Sequence, residues 1–216
     1  MSAQGTKSDY AAARAAMIES QLRPQGVTDR RVLDAMGNVA RELFVPEAAR
    51  SSAYSDRSVP LGNGRYLSAP AVLGQLLSQM MPMPGERALV VGAASGYSAA
   101  VLSAIGLNVV AIERDADLAV AARKLGAIII DGPLEDGHKK SAPYDLILID
   151  GAVEFIPDAI VDQLADGGRL GTALVDRGIT RLIVGRKAGG AFGYLSIGDS
   201  GVPVLSGFIR PKAFTF

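Results

Sequence analysis

LVVGAASGYSAAVLSAIGLNVVAIE, which runs from Leu89 to Glu113, is the stretch of this sequence that decides the fold. Its first three residues are a short apolar run, typical of a strand in a parallel sheet that is covered on both faces. Small residues at 92–96 then form a turn, and residues 97–105 are apolar and rich in alanine, as a packed helix is. Residues 108–112 form a second apolar run. This order predicts a strand–turn–helix–strand unit.

Glu113 stands at the carboxyl end of the second predicted strand. Open α/β sheets bind nucleotide-like ligands at this edge, where an acidic side chain accepts hydrogen bonds from the ribose hydroxyls. The stretch therefore predicts a site for an adenosine-containing cofactor. A ligand-free βαβ unit stays open as an alternative, because small turn residues also serve helix–strand packing. A membrane span over the charge-free residues 89–112 is disfavoured, because Gly92, Gly96 and Gly106 interrupt it where turns are needed.

The composition is that of a globular protein of 216 residues, 49% hydrophobic and 20% charged. Lys plus Arg and Asp plus Glu both number 22, and this zero net charge predicts no nucleic-acid or membrane partner. The chain has no cysteine, and its one histidine, His138, lies among charged residues. No metal site is predicted, and thiolate or histidine catalysis is disfavoured. The N-terminal stretch lacks the apolar segment of a secretory signal, so we expect a cytoplasmic protein.

Alternating apolar runs predict one α/β domain over residues 1–216 with a mainly parallel sheet. It divides into a helical segment (1–80), a cofactor-binding core (81–176) and antiparallel C-terminal strands (177–216). The predicted core elements are listed here: strands at 87–91, 108–112, 127–130, 145–149 and 169–174, and helices at 97–105, 116–124 and 157–165. Further predictions are helices that end before Pro24, begin at Thr28 and begin at Pro70, a loop over 59–66, and a last strand over 204–209.

Short motifs follow one another along nearly the whole chain. In order they are MIESQLR (17–23), RELFVP (41–46), YSD (54–56), PLG (60–62), LSAP (67–70), GAASGY (92–97), IER (112–114), APYD (142–145) and the QL–GGR pattern of 163–169. In this order and spacing they resemble the protein-L-isoaspartate (D-aspartate) O-methyltransferase family. Those enzymes transfer a methyl group from S-adenosylmethionine (SAM) to a carboxylate of damaged aspartyl residues.

The resemblance implies a doubly wound, Rossmann-like methyltransferase fold, SAM as cofactor, and isoaspartyl-containing proteins or peptides as partners. It assigns Ser68 as the catalytic residue, whose hydroxyl would orient the attacking carboxylate. The alternative is that Ser68 only caps the helix that begins at Pro70. The cofactor contacts that the resemblance implies are Gly92, Ala93, Ala94, Gly96, Tyr97, Glu113, Arg114, Gly132, Pro133 and Leu134.

The sequence departs from the family pattern at several of these positions. Val90 stands where the family has an acidic residue, and Ala94 replaces the middle glycine of the turn. The aspartate that reads the adenine amino group in the family falls on Pro133, or on Asp131 in a shifted register. Asp150 and the glycine after it stand where the family has small neutral residues. We therefore expect weak SAM binding, and two alternatives stay open: a non-catalytic binding relative, and a methyltransferase with another acceptor.

Overall fold

The computed structural model of the chain describes residues 7–210, and for residues 7 and 8 only the backbone. The predicted single domain includes residues 1–6 and 211–216. The prediction that the N-terminus carries no secretory signal also concerns residues 1–6. Both segments lie outside the described residues. Among the residues described, no helix is both long and apolar enough to cross a membrane.

The described residues form a strand-rich centre with helices around it. The strands are β1 (Val59–Gly62), β2 (Arg65–Leu67), β3 (Arg87–Val91), β4 (Asn108–Glu113), β5 (Ile129–Asp131), β6 (Tyr144–Val153), β7 (Leu164–Asp176), β8 (Ile179–Ala188) and β9 (Ala191–Asp199). The helices are α1 (Lys7–Met17), α2 (Arg30–Asn38), α3 (Pro70–Met80), α4 (Tyr97–Ile105), α5 (Ala116–Lys124) and α6 (Asp158–Val161). The predicted strand 87–91 and helices 97–105 and 116–124 have the bounds that the sequence indicated.

The central sheet has the order β5-β4-β3-β6-β7-β8-β9. Strands β3 to β7 pair in parallel, and β8 and β9 add an antiparallel edge beside β7. This confirms the predicted fold class, an α/β doubly wound sheet with antiparallel C-terminal strands. Strand β3 lies between β4 and β6, where the direction of winding reverses. In such sheets the crevice at the carboxyl ends of the strands at this point is where ligands bind.

Apolar side chains cover both faces of the sheet. Along β3, Ala88 and Val90 belong to one buried cluster, while Leu89 and Val91 belong to another. Successive residues of a strand point to opposite faces, so a strand buried on both sides reads as a continuous apolar run. The first cluster packs against the N-terminal helices and α4, and the second against α6 and the C-terminal residues. Val90 is therefore a core residue with no polar group to offer a ligand.

The N-terminal helices differ in one place from the sequence prediction. Helix α2 is capped by Asp29, whose carboxylate accepts from the backbone N–H of Arg31 at 2.9 Å, so the prediction of Thr28 as cap is wrong. Helix α1 ends at Met17 and a π-turn continues it to Leu22, before Pro24 as predicted, and a 3₁₀ turn then follows over Arg23–Gln25. Pro24 fits the first positions of that turn, where a proline loses no helical hydrogen bond.

Three other predictions are corrected by the pairing of strands. The predicted loop 59–66 is the hairpin β1–β2, whose Asn63 and Gly64 both have positive φ, as a type I′ turn requires. The predicted helix 157–165 is confined to α6, because Leu164 already pairs with Tyr144 in the sheet. The predicted strand 204–209 is an irregular segment joined to β6 by a single bridge at Val204.

Candidate functional site

A turn of small residues follows β3 at the carboxyl edge of the sheet. The φ angles of Gly92, Ala94 and Gly96 are +75°, +50° and +93°, all in the left-handed region. Glycine adopts this region without strain, whereas the Cβ of Ala94 makes it unfavourable there. The backbone N–H groups of Gly92 and Ala93 donate to the carbonyl of Ile112 at 2.9 and 3.0 Å. The turn therefore wraps over the end of β4, directly beside Glu113.

Glu113 is fully buried, and both of its carboxylate oxygens are already hydrogen-bonded. Oε2 accepts from the backbone N–H of Ala94 at 2.6 Å. Oε1 accepts from the backbone N–H groups of Arg114 and Asp115 at 2.8 and 2.9 Å, and from Nη1 of Arg65 at 2.6 Å. A buried carboxylate needs such donors to offset its lost hydration. The sequence placed Glu113 at the right strand end but gave no indication of the Arg65 partner.

Arg65 and Leu205 lie against the small-residue turn. The side chain of Arg65 is 7% exposed, and its Nη2 donates to the carbonyl oxygen of Gly92 at 2.9 Å. A Cβ placed on Gly92 would lie 3.1 Å from Leu205 Cδ1 and 3.3 Å from Arg65 Nη2. A Cβ on Gly151, at the end of β6, would clash with Leu205. These two glycines therefore leave the space that the chain's own side chains fill.

The segment that carries Leu205, which we name the strap (residues 200–210), is bound to the end of β6. Ala152 exchanges backbone hydrogen bonds with it, donating to Pro203 at 3.0 Å and accepting from Leu205 at 2.8 Å. Glu154 donates to the carbonyl of Phe208 at 2.9 Å, and the ring of Phe208 is fully buried. The strap is thus an ordered part of the crevice wall.

Ser68 lies on the other side of the crevice, where β2 leads into α3. Its Oγ donates to Oδ1 of Asp150 at 3.1 Å. The N-cap of α3 is Ala69, and the backbone N–H of Ala71 in the first turn donates to Oδ1 of Asp56 at 3.4 Å rather than to Ser68, so the interpretation of Ser68 as a helix cap is wrong. Ser68 is buried and its hydroxyl proton is donated to a carboxylate of the chain itself, so its role toward a substrate carboxylate stays a prediction.

Arg41 connects Ser68 to the turn. This fully buried guanidinium donates to the carbonyl oxygens of Ser68 at 2.5 Å and Ala53 at 2.6 Å. It also lies over the ring of Tyr97, with Cζ 4.8 Å from the ring centroid. Burial lowers the pKa of Arg41 and raises the pKa of Tyr97. Arg41 and Tyr97 are thus a buried pair that links the segment of Ser68 to the start of α4.

The remaining predicted contacts lie around Glu113. The backbone N–H of Gly132 donates to the carbonyl oxygen of Glu113 at 3.4 Å. Pro133 is exposed and Leu134 is fully buried in the apolar cluster on one sheet face. Asp131, the alternative adenine-reading residue, forms an ion pair with Arg123 of α5. The structure thus brings both candidate registers to the edge beside Glu113, and the role of each stays a prediction.

Asp150 is the acidic departure noted in the sequence, and it lies within hydrogen-bond distance of Ser68. Burial raises the pKa of its carboxyl group, outweighing the hydroxyl and guanidinium groups nearby. A raised pKa in the folded state means that ionisation of Asp150 opposes folding above about pH 4, the pKa of a free aspartate. We expect its charge to weaken the fold at neutral pH.

Asp150→Asn is therefore expected to stabilise the protein at pH 7, with a gain that shrinks as the pH falls towards about 4. Asparagine keeps the size of the side chain and an oxygen that can accept from Ser68. Urea unfolding of the variant and of the unmodified protein at pH 4 to 8 measures the gain. A gain that stays constant or increases at low pH would contradict the assignment.

Sequence reasoning missed Arg65 and Leu205, and only Arg65 has a signal in the sequence that could have revealed it. Asn63-Gly64 between short apolar runs is a strong hairpin signal, and strand alternation then places Arg65 on the same inward side as Leu67. For Leu205 there is no comparable signal, because its position depends on where the strap crosses β6. Ser68, Glu113 and the turn were predicted. In the structure Arg65 joins Glu113 to the turn, and Arg41 joins the backbone of Ser68 to the ring of Tyr97.

Comparisons with known proteins agree with this architecture. The sequence pattern of the family described as protein-L-isoaspartate(D-aspartate) O-methyltransferase matches residues 12–189. A protein-L-isoaspartate O-methyltransferase of Methylorubrum populi is 46% identical over 165 residues, covering 74% of this chain and 78% of the relative. One from Koribacter versatilis is 37% identical over 197 residues, covering 88% and 89%.

A solved structure also has the same fold. It is a Plasmodium falciparum protein assigned as a protein-L-isoaspartate O-methyltransferase, in complex with S-adenosyl-L-homocysteine. The two align with a TM-score of 0.79 and 21% identity, covering 90% of this chain and 98% of the other. At that identity the likeness concerns the fold alone. The family pattern and the identities of the curated relatives carry the assignment: the chain belongs to the protein-L-isoaspartate (D-aspartate) O-methyltransferase family.

Proposed function

We propose that this protein is a SAM-dependent carboxyl methyltransferase that methylates L-isoaspartyl and D-aspartyl residues of damaged proteins. The observation that carries the proposal is the link through Arg41. One guanidinium bonds the backbone of Ser68 and covers the ring of Tyr97, so the acceptor-side hydroxyl and the cofactor-side turn are held in one crevice. Family membership over residues 12–189 supports the same activity.

The chemistry suits a site without histidine or cysteine. An aspartyl or C-terminal carboxylate has a pKa near 4 and is ionised at neutral pH, so it needs no general base. The bound cofactor would supply an electrophilic sulfonium methyl group, which an acceptor carboxylate oxygen would take as the carbon–sulfur bond breaks and its electrons go to sulfur. The protein then has to align the reactants and exclude water. In the proposal Ser68 orients the acceptor, while Arg41 and Tyr97 close the wall behind it.

The backbone turn and the position of Glu113 fit an adenosine cofactor. The left-handed turn permits a close approach of the backbone, and Glu113 stands at the end of the strand next to β3. Gly92, Gly96 and Glu113 would hold the cofactor, with Gly132, Pro133 and Leu134 beside the adenine. The fit is reduced by Val90, which is buried among apolar side chains, and by the Arg65 and Leu205 side chains that lie on the turn.

We therefore expect SAM to bind, but about one to two decades more weakly than it binds to relatives that keep the acidic residue at position 90. A hydrogen bond to a charged group contributes roughly 1.5–3 kcal/mol, which corresponds to that loss of affinity. Calorimetric titration with SAM and with S-adenosylhomocysteine measures the dissociation constants. Saturating ligand that gives neither heat nor a shift of the melting temperature would overturn the proposal.

The activity test compares two peptides that differ at one residue. Radiolabelled methyl transfer is measured to an isoaspartyl peptide and to the same peptide with a normal aspartyl residue. The proposal expects a labelled methyl ester on the isoaspartyl peptide alone. Binding of SAM without transfer to either peptide would favour another acceptor, an alternative that the Asp150 carboxylate beside Ser68 supports because it would repel an incoming carboxylate.

A non-catalytic binding relative is the second candidate. The Arg65–Glu113 ion pair favours it, since the residue expected to hold the ribose is already engaged. Absence of both SAM binding and transfer would support this candidate over the enzyme. The proposal also includes isoaspartyl proteins or peptides as partners, no nucleic acid or membrane, and a cytoplasmic location. The location stays a prediction that cell fractionation tests.

A further inference from the structure

We infer that Arg65 is an internal competitor for the ribose-binding carboxylate, so that a nucleoside ligand reaches Glu113 only after Arg65 has left it. The inference rests on the proposed function, because it concerns the same cofactor site. It goes further by naming Arg65 as the residue that controls what fraction of molecules has Glu113 free to bind a ligand. It also gives a reason, from a contact within the chain, why a site with the expected turn and carboxylate would bind its cofactor weakly.

The first argument is the crowding of Oε1 of Glu113. Within residues 7–210 this oxygen accepts three hydrogen bonds, whereas Oε2 accepts one, and a carboxylate oxygen offers about two acceptor positions. Three of the donors are backbone N–H groups of the turn and of the chain after β4, which cannot leave without rebuilding the site. The fourth is Arg65, a side chain that can rotate away. A ribose hydroxyl therefore gains a place on Oε1 of Glu113 by displacing Arg65.

The second argument is the place that the guanidinium occupies. Arg65 joins Glu113 to the carbonyl oxygen of Gly92, at 2.6 and 2.9 Å, and so covers both features on which an adenosine ligand would rest. Leu205 lies beside it over the same glycine. A ligand pressed against this turn would overlap the arginine before it touched the backbone. One acceptor position of Glu113 and the space beside it are thus taken by the Arg65 side chain.

The third argument is that Arg65 reaches Glu113 from a hairpin that is separate from the central sheet. Hairpin β1–β2 forms its own two-stranded sheet, and its turn is tied to the start of α5 by an exposed hydrogen bond of 2.7 Å from Asn63 to Asp115. Ser68 follows directly after this hairpin. Val59 and Leu67 anchor the hairpin in the core, so Arg65 withdraws from Glu113 by rotation of its own side chain.

The affinity for a ligand depends on the fraction of molecules in which Arg65 is away from Glu113. When only a fraction of molecules has Arg65 away from Glu113, the apparent dissociation constant equals the intrinsic constant divided by that fraction. Arg65→Gln shortens the side chain and removes its charge, so it should raise the competent fraction. We expect Arg65→Gln to bind S-adenosylhomocysteine at least about tenfold more tightly than the unmodified protein, a difference of about 1.4 kcal/mol.

Isothermal titration with S-adenosylhomocysteine tests this on the full chain, after circular dichroism and a thermal melt have shown that the variant is folded. Arg30→Gln, which removes the same charge from a side chain that is 92% exposed on α2, is the matched control and should bind like the unmodified protein. If Arg65→Gln does not fold, Arg65→Lys replaces it. A lysine keeps the charge but cannot bridge Glu113 and Gly92 together, and it should bind more tightly than arginine by a smaller factor.

A double-mutant cycle distinguishes competition for the Glu113 carboxylate from steric blocking by the Arg65 side chain. The same substitution is measured in a Glu113→Gln background, where the neutral amide holds Arg65 less firmly. Competition for the carboxylate predicts that the gain from Arg65→Gln falls to about twofold or less there. An equal gain in both backgrounds would overturn the inference, because Arg65 would then act by its volume alone.

The other outcomes separate this inference from the proposed function. Arg65→Gln binding no more tightly than the unmodified protein overturns the inference, even if the unmodified protein transfers methyl groups. Binding by Arg65→Gln alone supports the inference and overturns the proposed activity for the unmodified chain. If neither protein binds, Arg65 is not what limits the site and the inference is wrong; methyl transfer by the unmodified protein then decides the proposed function separately.

Discussion

Glu113→Ala is expected to lower the free energy of unfolding by about 3–5 kcal/mol, because it leaves a buried cation without its partner. Arg65 would keep only the Gly92 carbonyl, and three backbone N–H groups would lose their acceptor. For a chain of this size each kcal/mol corresponds to roughly 2–4 °C in melting temperature. The same change is expected to weaken SAM binding at least tenfold, through loss of the ribose acceptor.

Urea unfolding measures the stability loss, and calorimetry below the melting temperature measures binding. Glu19→Ala is the control: it removes the carboxylate of an ion pair with Arg23 whose side chains are 68% and 54% exposed, and exposed pairs contribute about 0–1 kcal/mol. The double variant Arg65→Gln with Glu113→Gln should recover most of the lost stability, because no buried charge is left unpaired. A loss below about 1 kcal/mol for Glu113→Ala would show that the buried pair is not a structural element.

Ser68→Ala is expected to lower methyl transfer to an isoaspartyl peptide roughly a hundredfold, while the affinity for SAM changes by less than about twofold. A positioning hydrogen bond in a site that excludes water contributes a few kcal/mol to the barrier. The fold should survive, because the Ser68 hydroxyl caps no helix and the variant loses a single hydrogen bond, the one to Asp150. Its backbone carbonyl, which accepts from Arg41, is kept in the variant.

Radiolabelled transfer with the isoaspartyl and aspartyl peptides measures this effect beside SAM calorimetry. Ser78→Ala on α3 is the matched control, since the Ser78 hydroxyl makes no hydrogen bond within the described residues. Equal rates for Ser68→Ala and the unmodified protein would exclude Ser68 as the catalytic residue. If SAM binds to both proteins and neither is active, the acceptor is of another kind.

Much of the fold could be predicted from the sequence, because the pattern of apolar residues reports directly which faces are buried. The continuous apolar run before Gly92 predicts a strand covered on both sides, and β3 is buried in two clusters. Local rules were less reliable where two of them competed. The Gly and Pro content of residues 59–66 indicated a loop, although the Asn63-Gly64 pair specifies a hairpin turn.

The residues of the candidate site likewise divide into those that the sequence predicted and those that it did not. Glu113 and the turn follow one another within a single βαβ unit, so sequence spacing was enough to place them at one edge of the sheet. Ser68 was placed by the family motifs, and its catalytic role stays a prediction, as do the cofactor contacts and the three-segment organisation of residues 1–216. Arg65 was missed because charge at a short hairpin usually indicates an exposed residue, and here it is buried.

By itself, the sequence determined the fold class, the family, and the edge of the sheet where the candidate site lies, because burial patterns and motif order are properties of the chain. Only the tertiary structure decided that Glu113 is paired with Arg65, that Leu205 covers Gly92, and that Ser68 faces Asp150. These contacts join residues 48, 113 and 82 positions apart, so no local pattern encodes them. They form because buried charges and apolar side chains must find partners wherever the packed elements bring them together.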